Sequence, residues 1–274
     1  MTSSTMKWKH GETWYRIVGD IKNGKTPVVL AHGGPGAGHN YIIAIAHLIA
    51  QSGRAAVLYD QIGCGNSTHL QSKPAEFWTP ELFMEELQLL VEHLGIKNNY
   101  ALLGQSWGGM LGMQFATHQP SGLKALVVCD SPASMDMWVS EANKLRQDLP
   151  TEVEATLKKH EAAGTTESPE YVAAVDVFYS RHLCRVPQPP DVVDSSAQLA
   201  NDPTVYHTMN GPSEFYVIGS LKNWNILNDL KKITNILECF FGATPVNLAE
   251  VTIESVPWLP TTNLLKSKVS FSLL

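Results

Sequence analysis

Cysteine is scarce in this chain: four residues among 274, Cys64, Cys129, Cys184 and Cys239, lie far apart with no Cys-x-x-Cys pair. A chain of this length can bury about 70–75% of its unfolded surface without covalent staples, so reduced thiols are expected. Long hydrophobic runs are missing too. The longest apolar stretch, Tyr41 to Ala50, contains His47 and falls far short of the ~20 residues a bilayer span needs. The first residues, Met1 to Gly19, carry Lys7, Lys9, His10, Glu12 and Arg16 in place of the apolar centre of a secretory signal, and a cytoplasmic protein is expected. No His-x-x-x-His or His-Glu-x-x-His spacing occurs, so neither a metal site nor a cofactor is expected. Basic residues number 20 against 26 acidic ones and are scattered along the chain, which gives no electrostatic footprint for nucleic acid or an anionic membrane. With 44% hydrophobic residues the composition is that of a folded globular protein rather than a disordered one.

Short continuous apolar runs alternate with helical patterns through the first half. Pro27–Ala31, Ala55–Tyr59, Tyr100–Leu103 and Ala125–Cys129 read as strands buried on both faces, as in a parallel sheet covered by crossover helices. Between the second and third, Leu82, Phe83, Leu87, Leu90, Val91 and Leu94 recur at helical spacing, with Thr79 as N-cap, Pro80 at the first helical position and Gly95 past the end. After Asp130 the pattern turns to charged helical segments with a break at Pro187-Gln188-Pro189-Pro190. Thr151 and Glu154 suggest a capping box for one of these helices, which Gly164 ends, and Ser168-Pro169 opens another. Ile236 to Phe241 reads as a return to sheet. The expected organisation is an α/β core at 1–130, an inserted helical cap at 131–228 and a remainder of the core at 229–274.

Gly104-Gln105-Ser106-Trp107-Gly108 directly follows the strand Tyr100–Leu103 and precedes the helix-compatible segment from Gly109 to Thr117. A Gly-x-Ser-x-Gly turn between strand and helix forces the serine into a strained, exposed position, where amides at the helix N-terminus favour developing negative charge. Ser106 is the candidate nucleophile. His32-Gly33-Gly34-Pro35-Gly36 follows the strand Pro27–Ala31, and a loop of this kind supplies backbone donors to a reacting centre. The oxyanion donors expected are the N–H groups of Gly34 and Trp107. A dinucleotide loop fails on spacing, because the third glycine of Gly-x-Gly-x-x-Gly would be His39 counted from Gly34 and Tyr41 counted from Gly36. Asp60 precedes a Gly-rich turn and is read as structural.

Four motifs in order carry a resemblance: His32-Gly33-Gly34-Pro35-Gly36, Asp60-Gln61-Ile62-Gly63-Cys64-Gly65-Asn66-Ser67, Gly104-Gln105-Ser106-Trp107-Gly108-Gly109 and Asn210-Gly211-Pro212-Ser213-Glu214-Phe215. From about residue 10 to about residue 234 the chain resembles the proline iminopeptidase family of α/β-hydrolases. The resemblance implies a mostly parallel sheet with helices on both faces and an inserted helical cap. It also implies a serine peptidase that removes the N-terminal residue, often proline, from short peptides, some relatives acting on amino-acid amides. It places the nucleophile at Ser106 and the oxyanion hole at Gly34 and Trp107. Glu214 matches the family glutamate that pairs with the free amino group of the substrate. A carboxylate facing an ammonium in a closed site would reject chain interiors, because an uncharged amide leaves it unpaired. Without the resemblance, Glu214 reads first as a solvated surface glutamate beside a Gly-Pro turn.

The pattern breaks after Thr234. Family members carry a triad acid and a histidine loop there, whereas Asn235 to Leu274 holds neither Asp nor His, and its only acids are Glu238, Glu250 and Glu254. The C-terminal part of the fold is therefore expected to be incomplete. Losing a triad member typically costs about 10⁴–10⁶ in kcat. Three readings follow: a serine aminopeptidase or amidase, a non-catalytic fold that keeps the pocket, and an esterase. The preferred N-terminal residue and the oligomeric state stay open.

Overall fold

Alternation of side chains at the N-terminus builds a two-stranded ribbon. Strand β1 (Thr2–Trp8) buries Met6, strand β2 (Gly11–Val18) buries Thr13, Tyr15 and Val18, and the two pair antiparallel with Trp8 opposite Gly11. The apolar-run reading misses this ribbon, because so few of its residues are apolar and buried. The computed structural model describes residues 2–234 and 238–242.

The continuous apolar runs form the sheet interior: β3 (Val28–Ala31), β4 (Ala56–Tyr59), β5 (Tyr100–Gln105) and β6 (Leu123–Cys129), followed by β7 (Glu238–Gly242). The order is β1-β2-β4-β3-β5-β6-β7, parallel from β4 through to β7, with the first ribbon joined antiparallel to β4. The expected return to sheet is present at β7. Two faces can be told apart by alternate residues. Leu30, Ala56, Leu58 and Leu103 form one cluster with Ile42 and Ala46, against which Ile43, Ile45 and Ile49 of helix α1 (Ile43–Gln51) also pack. On the opposite face, a Cβ at Gly112 would lie 3.2 Å from Leu102 and 3.1 Å from Leu126. Helix α3 (Trp107–Ala116) therefore approaches the sheet closely where it carries no side chain. Helix α2 (Pro80–His93) starts as its sequence predicts, with the Thr79 hydroxyl accepting the Leu82 N–H and proline at the first position.

The chain runs from β3 to β4 on one side and then crosses back to β5 on the other. The carboxyl ends of β3 and β5 thus flank the switch point where ligands gather in open α/β sheets. Their register sets Ala31 beside Gly104, so the loop after β3 and the turn after β5 leave the sheet side by side.

The chain divides into two compact units, one made of Met1–Asp136 with Pro189–Gly242, the other containing Met137–Gln188. Helices α7 (Pro190–Asn201) and α8 (Thr204–Met209), placed in the cap by the sequence reading, belong to the first unit. The reason is local: Leu199 and Val205 lie against the Gly36 backbone, and Asp202 pairs with His69. Ahead of them, helices α4 (Met135–Arg146), α5 (Thr151–Ala163) and α6 (Pro169–His182) follow β6. Arg146 is buried and donates to Glu154 and Glu161 of α5 at 3.0–3.1 Å. Ser168 caps α6 as expected and Gly164 ends α5 with left-handed φ. The capping box is not formed: Pro150 is the N-cap of α5 and Thr151 its first residue, one position too late for its hydroxyl to cap.

Candidate active site

Ser106 stands between β5 and α3 with φ 53° and ψ −121°, a conformation that costs a non-glycine residue about 1–3 kcal/mol and persists only where neighbours over-determine it. The neighbours are three glycines. A side chain at Gly104 would collide with the Gly108 carbonyl, one at Gly108 with the carbonyls of Ala31 and His32, and one at Gly109 with the Ser131 hydroxyl. The Ser106 N–H donates to the Cys129 carbonyl at 2.9 Å, which ties the turn to β6, and its own carbonyl accepts from Gly109 at 2.9 Å. Trp107 is the first helical residue, whose N–H has no intrahelical acceptor by position. Its indole donates to Gln61 Oε1 at 2.8 Å, and the Gln61 amide in turn donates to the His32 carbonyl at 3.0 Å.

The loop after β3 turns at Gly34, where φ is +111° and the bond to Pro35 is cis. Its conformation is held from within the first unit. The Gly33 N–H donates to the Tyr41 hydroxyl at 2.6 Å, and that hydroxyl donates to Gln105 Oε1 at 2.5 Å. A Cβ on Gly33 would stand 3.1 Å from the Ser106 Cβ, so the loop passes directly over the serine. The Gly34 N–H, next along, makes no hydrogen bond to the described residues.

Glu214 lies in the segment after α8, where its Oε1 accepts the Tyr206 hydroxyl at 2.7 Å. Burial raises its pKa against the opposing pull of that bond. Asp60 has every oxygen engaged. It accepts from the N–H and Nδ1 of His39 at 2.8 Å, and from the N–H and Nδ2 of Asn66 at 2.8 and 2.9 Å. Burial alone would raise its pKa, but these partners outweigh it and lower it. Such a carboxylate locks the loops after β3 and β4 together.

His32 is equally committed. Its Nε2 must accept, because the Gln61 backbone N–H at 3.0 Å can only donate, so the proton sits on Nδ1 and points to the Gly33 carbonyl at 2.9 Å. Burial lowers its pKa and keeps it neutral. His207, on α8, is exposed. Among the described residues the Ser106 hydroxyl makes no hydrogen bond to an imidazole. Of the acids after Thr234, Glu250 and Glu254 lie outside the described residues, as does most of the divergent remainder. Tyr41, Gln105 and Tyr206 are the contacts that sequence reasoning misses: Tyr41 and Gln105 are 64 residues apart, and Tyr206 meets Glu214 eight residues on, at a spacing that no helix or strand period marks.

A family model described as the alpha/beta hydrolase fold matches residues 26–215. The proline iminopeptidase of Saccharolobus solfataricus is 35% identical over 220 residues, 80% of this chain and 69% of that protein. That of Clostridium botulinum is 36% identical over 236 residues, covering 85% and 78%. The chain belongs to the proline iminopeptidase family of α/β-hydrolases. The crystal structure of proline iminopeptidase from Mycobacterium smegmatis superposes with a TM-score of 0.81 at 47% identity, over 90% of this chain and 83% of that one. The crystal structure of VinJ superposes with a TM-score of 0.88 at 45% identity, over 92% and 85%. The mostly parallel sheet with its helices is thus an α/β-hydrolase fold, and the chain is a hydrolase of the proline iminopeptidase type. No described helix is long and apolar enough to cross a membrane.

Proposed function

We propose that this chain removes the N-terminal residue, often proline, from short peptides or amino-acid amides through an acyl-enzyme on Ser106. Attack by Ser106 Oγ forms the carbon–oxygen bond and breaks the Oγ–H bond, whose proton is released to solvent. The tetrahedral oxyanion accepts from the N–H groups of Gly34 and Trp107, and the carbon–nitrogen bond breaks as the departing amine takes a proton. Water then attacks the acyl carbonyl and releases the N-terminal residue. Glu214 pairs with the substrate ammonium and Tyr206 holds the carboxylate in place. The observation that carries this reading is the strained Ser106 backbone at the start of α3, beneath a loop whose Gly34 N–H makes no hydrogen bond among the described residues. Each oxyanion donor is worth about 10²–10³ in rate.

A second reading is favoured by one observation, the lack of an imidazole bonded to Ser106 among the described residues: a fold that binds free-amine ligands without turning them over. An esterase is disfavoured by Glu214, a carboxylate held by Tyr206 whose charge a neutral ester gives nothing to attract. Release of nitroaniline from prolyl-p-nitroanilide, compared between the chain and Ser106→Ala, decides between hydrolysis and binding alone. The hydrolase reading expects a loss of at least about 10³-fold in the variant; equal rates overturn it.

A further inference from the structure

The Tyr41 hydroxyl links the loop of Gly34 to the turn of Ser106. It accepts from the Gly33 N–H at 2.6 Å and, since a phenol carries a single proton, must direct that proton to Gln105 Oε1 at 2.5 Å. Gly33 precedes one proposed oxyanion donor, Gly34; Gln105 stands two residues before the other, Trp107. The space where a Gly33 side chain would stand lies 2.8 Å from Gln105 Oε1, 2.9 Å from Tyr41 Oη and 3.1 Å from the Ser106 Cβ, so the three groups converge only because residue 33 has no side chain. We infer that Tyr41 is a positioning residue that sets the spacing of the two oxyanion donors, by clamping the loop after β3 to the end of β5. This deepens the Ser106 reading and rests on it.

The clamp has a firm base. Tyr41 sits in a short 3-10 turn, Asn40–Ile42, that leads into α1, and its ring packs against the core cluster of Leu30, Ile42, Leu58 and Leu103. A phenol on such a base has two rotatable bonds and little freedom to lose, which suits a group that must hold two backbones within a few tenths of an ångström. Burial raises the Tyr41 pKa, against the opposing Gly33 bond, so its proton stays in place throughout the working pH range of a hydrolase. No contact with substrate is needed for this role.

The test uses the full chain and an alkyl fluorophosphonate. In that reaction the Ser106 Oγ–phosphorus bond forms, the phosphorus–fluorine bond breaks, fluoride leaves, the hydroxyl proton passes to solvent, and the phosphoryl oxygen occupies the oxyanion position. Tyr41→Phe is expected to lower the maximal inactivation rate by roughly 10-fold to 100-fold, with the half-saturating concentration changed less than about 3-fold, as for loss of a transition-state interaction alone. Gln105→Leu is expected to lower it less, and the double variant no more than Tyr41→Phe, because both act through one chain of hydrogen bonds. An undiminished maximal rate in Tyr41→Phe, or losses that multiply in the double variant, overturns the clamp. Wild-type labelling no faster than that of Ser106→Ala instead overturns the reading of Ser106 as nucleophile.

Discussion

Glu214 shows how much of a residue's role depends on what surrounds it. Beside Gly211-Pro212 in the sequence it has the look of a surface glutamate, yet in the fold it is partly buried and accepts from Tyr206. A pKa raised by burial makes its charge sensitive to mild acid. If the carboxylate pairs with a substrate ammonium, kcat/KM on free-amine substrates falls as pH drops through that raised pKa, since the protonated group no longer attracts the amine. Glu214→Gln should lose about 10-fold or more on a prolyl amide and remove this acid limb, while a neutral ester is turned over nearly unchanged. Parallel pH profiles on the two substrates measure it, and equal losses on both would defeat the amine-binding role. Residue-level legibility was uneven. Ser106, Gly34 and Trp107 are fixed by their places in short contiguous motifs, whereas Gln105 occupies a variable position of its motif and its link to Tyr41 spans 64 residues, so nothing local marks that pair.

At the scale of elements, helix ends were read best where the signal is a backbone constraint. Thr79-Pro80, Ser168-Pro169 and Gly164 act through their own dihedral preferences and local hydrogen bonds, and each lies where the sequence places it. The box at Thr151 failed because Pro150 takes the cap position ahead of it. Two glycines contrast conformation with packing. Gly164 has φ +65° and open space around a would-be Cβ, so Gly164→Ala should cost only about 1 kcal/mol, the price of left-handed backbone. At Gly108 a methyl would meet the carbonyls of Ala31 and His32, so α3 must retreat from β3, and Gly108→Ala should cost about 3 kcal/mol or prevent folding. Urea unfolding of the two variants checks both, and comparable midpoints would show that α3 tolerates displacement.

Across the whole molecule, one buried group ties the N-terminal ribbon, the turn after β4 and α2 together. Glu86 is fully buried, with Oε1 accepting the Thr13 hydroxyl at 2.5 Å and the Ile62 N–H at 2.8 Å, while Oε2 has no partner among the described residues. Burial raises its pKa to about 8, so the folded chain keeps the proton that an unfolded carboxylate releases near 4.5. Stability from this group is complete below the unfolded pKa and is lost as pH rises toward the folded one, at up to about 1.4 kcal/mol per pH unit. Glu86→Gln preserves the acceptor and should flatten the fall in unfolding free energy between pH 5 and 8; a wild-type slope retained in the variant would assign the proton elsewhere. The sequence by itself determined the parallel-sheet class, the strand–serine–helix turn, the glycine loop and the main helix starts, because continuous apolar runs, glycine contacts and caps act over a few neighbouring residues. Tertiary structure alone decided the antiparallel ribbon, the return of Pro190–Met209 to the sheet unit, the Tyr41–Gln105 link and the fixed tautomer of His32. The ribbon is a local hairpin with too few buried apolar residues to announce itself, whereas the other three depend on hydrogen bonds or packing between segments far apart in the chain, and no local propensity encodes which distant partner a buried polar group will find.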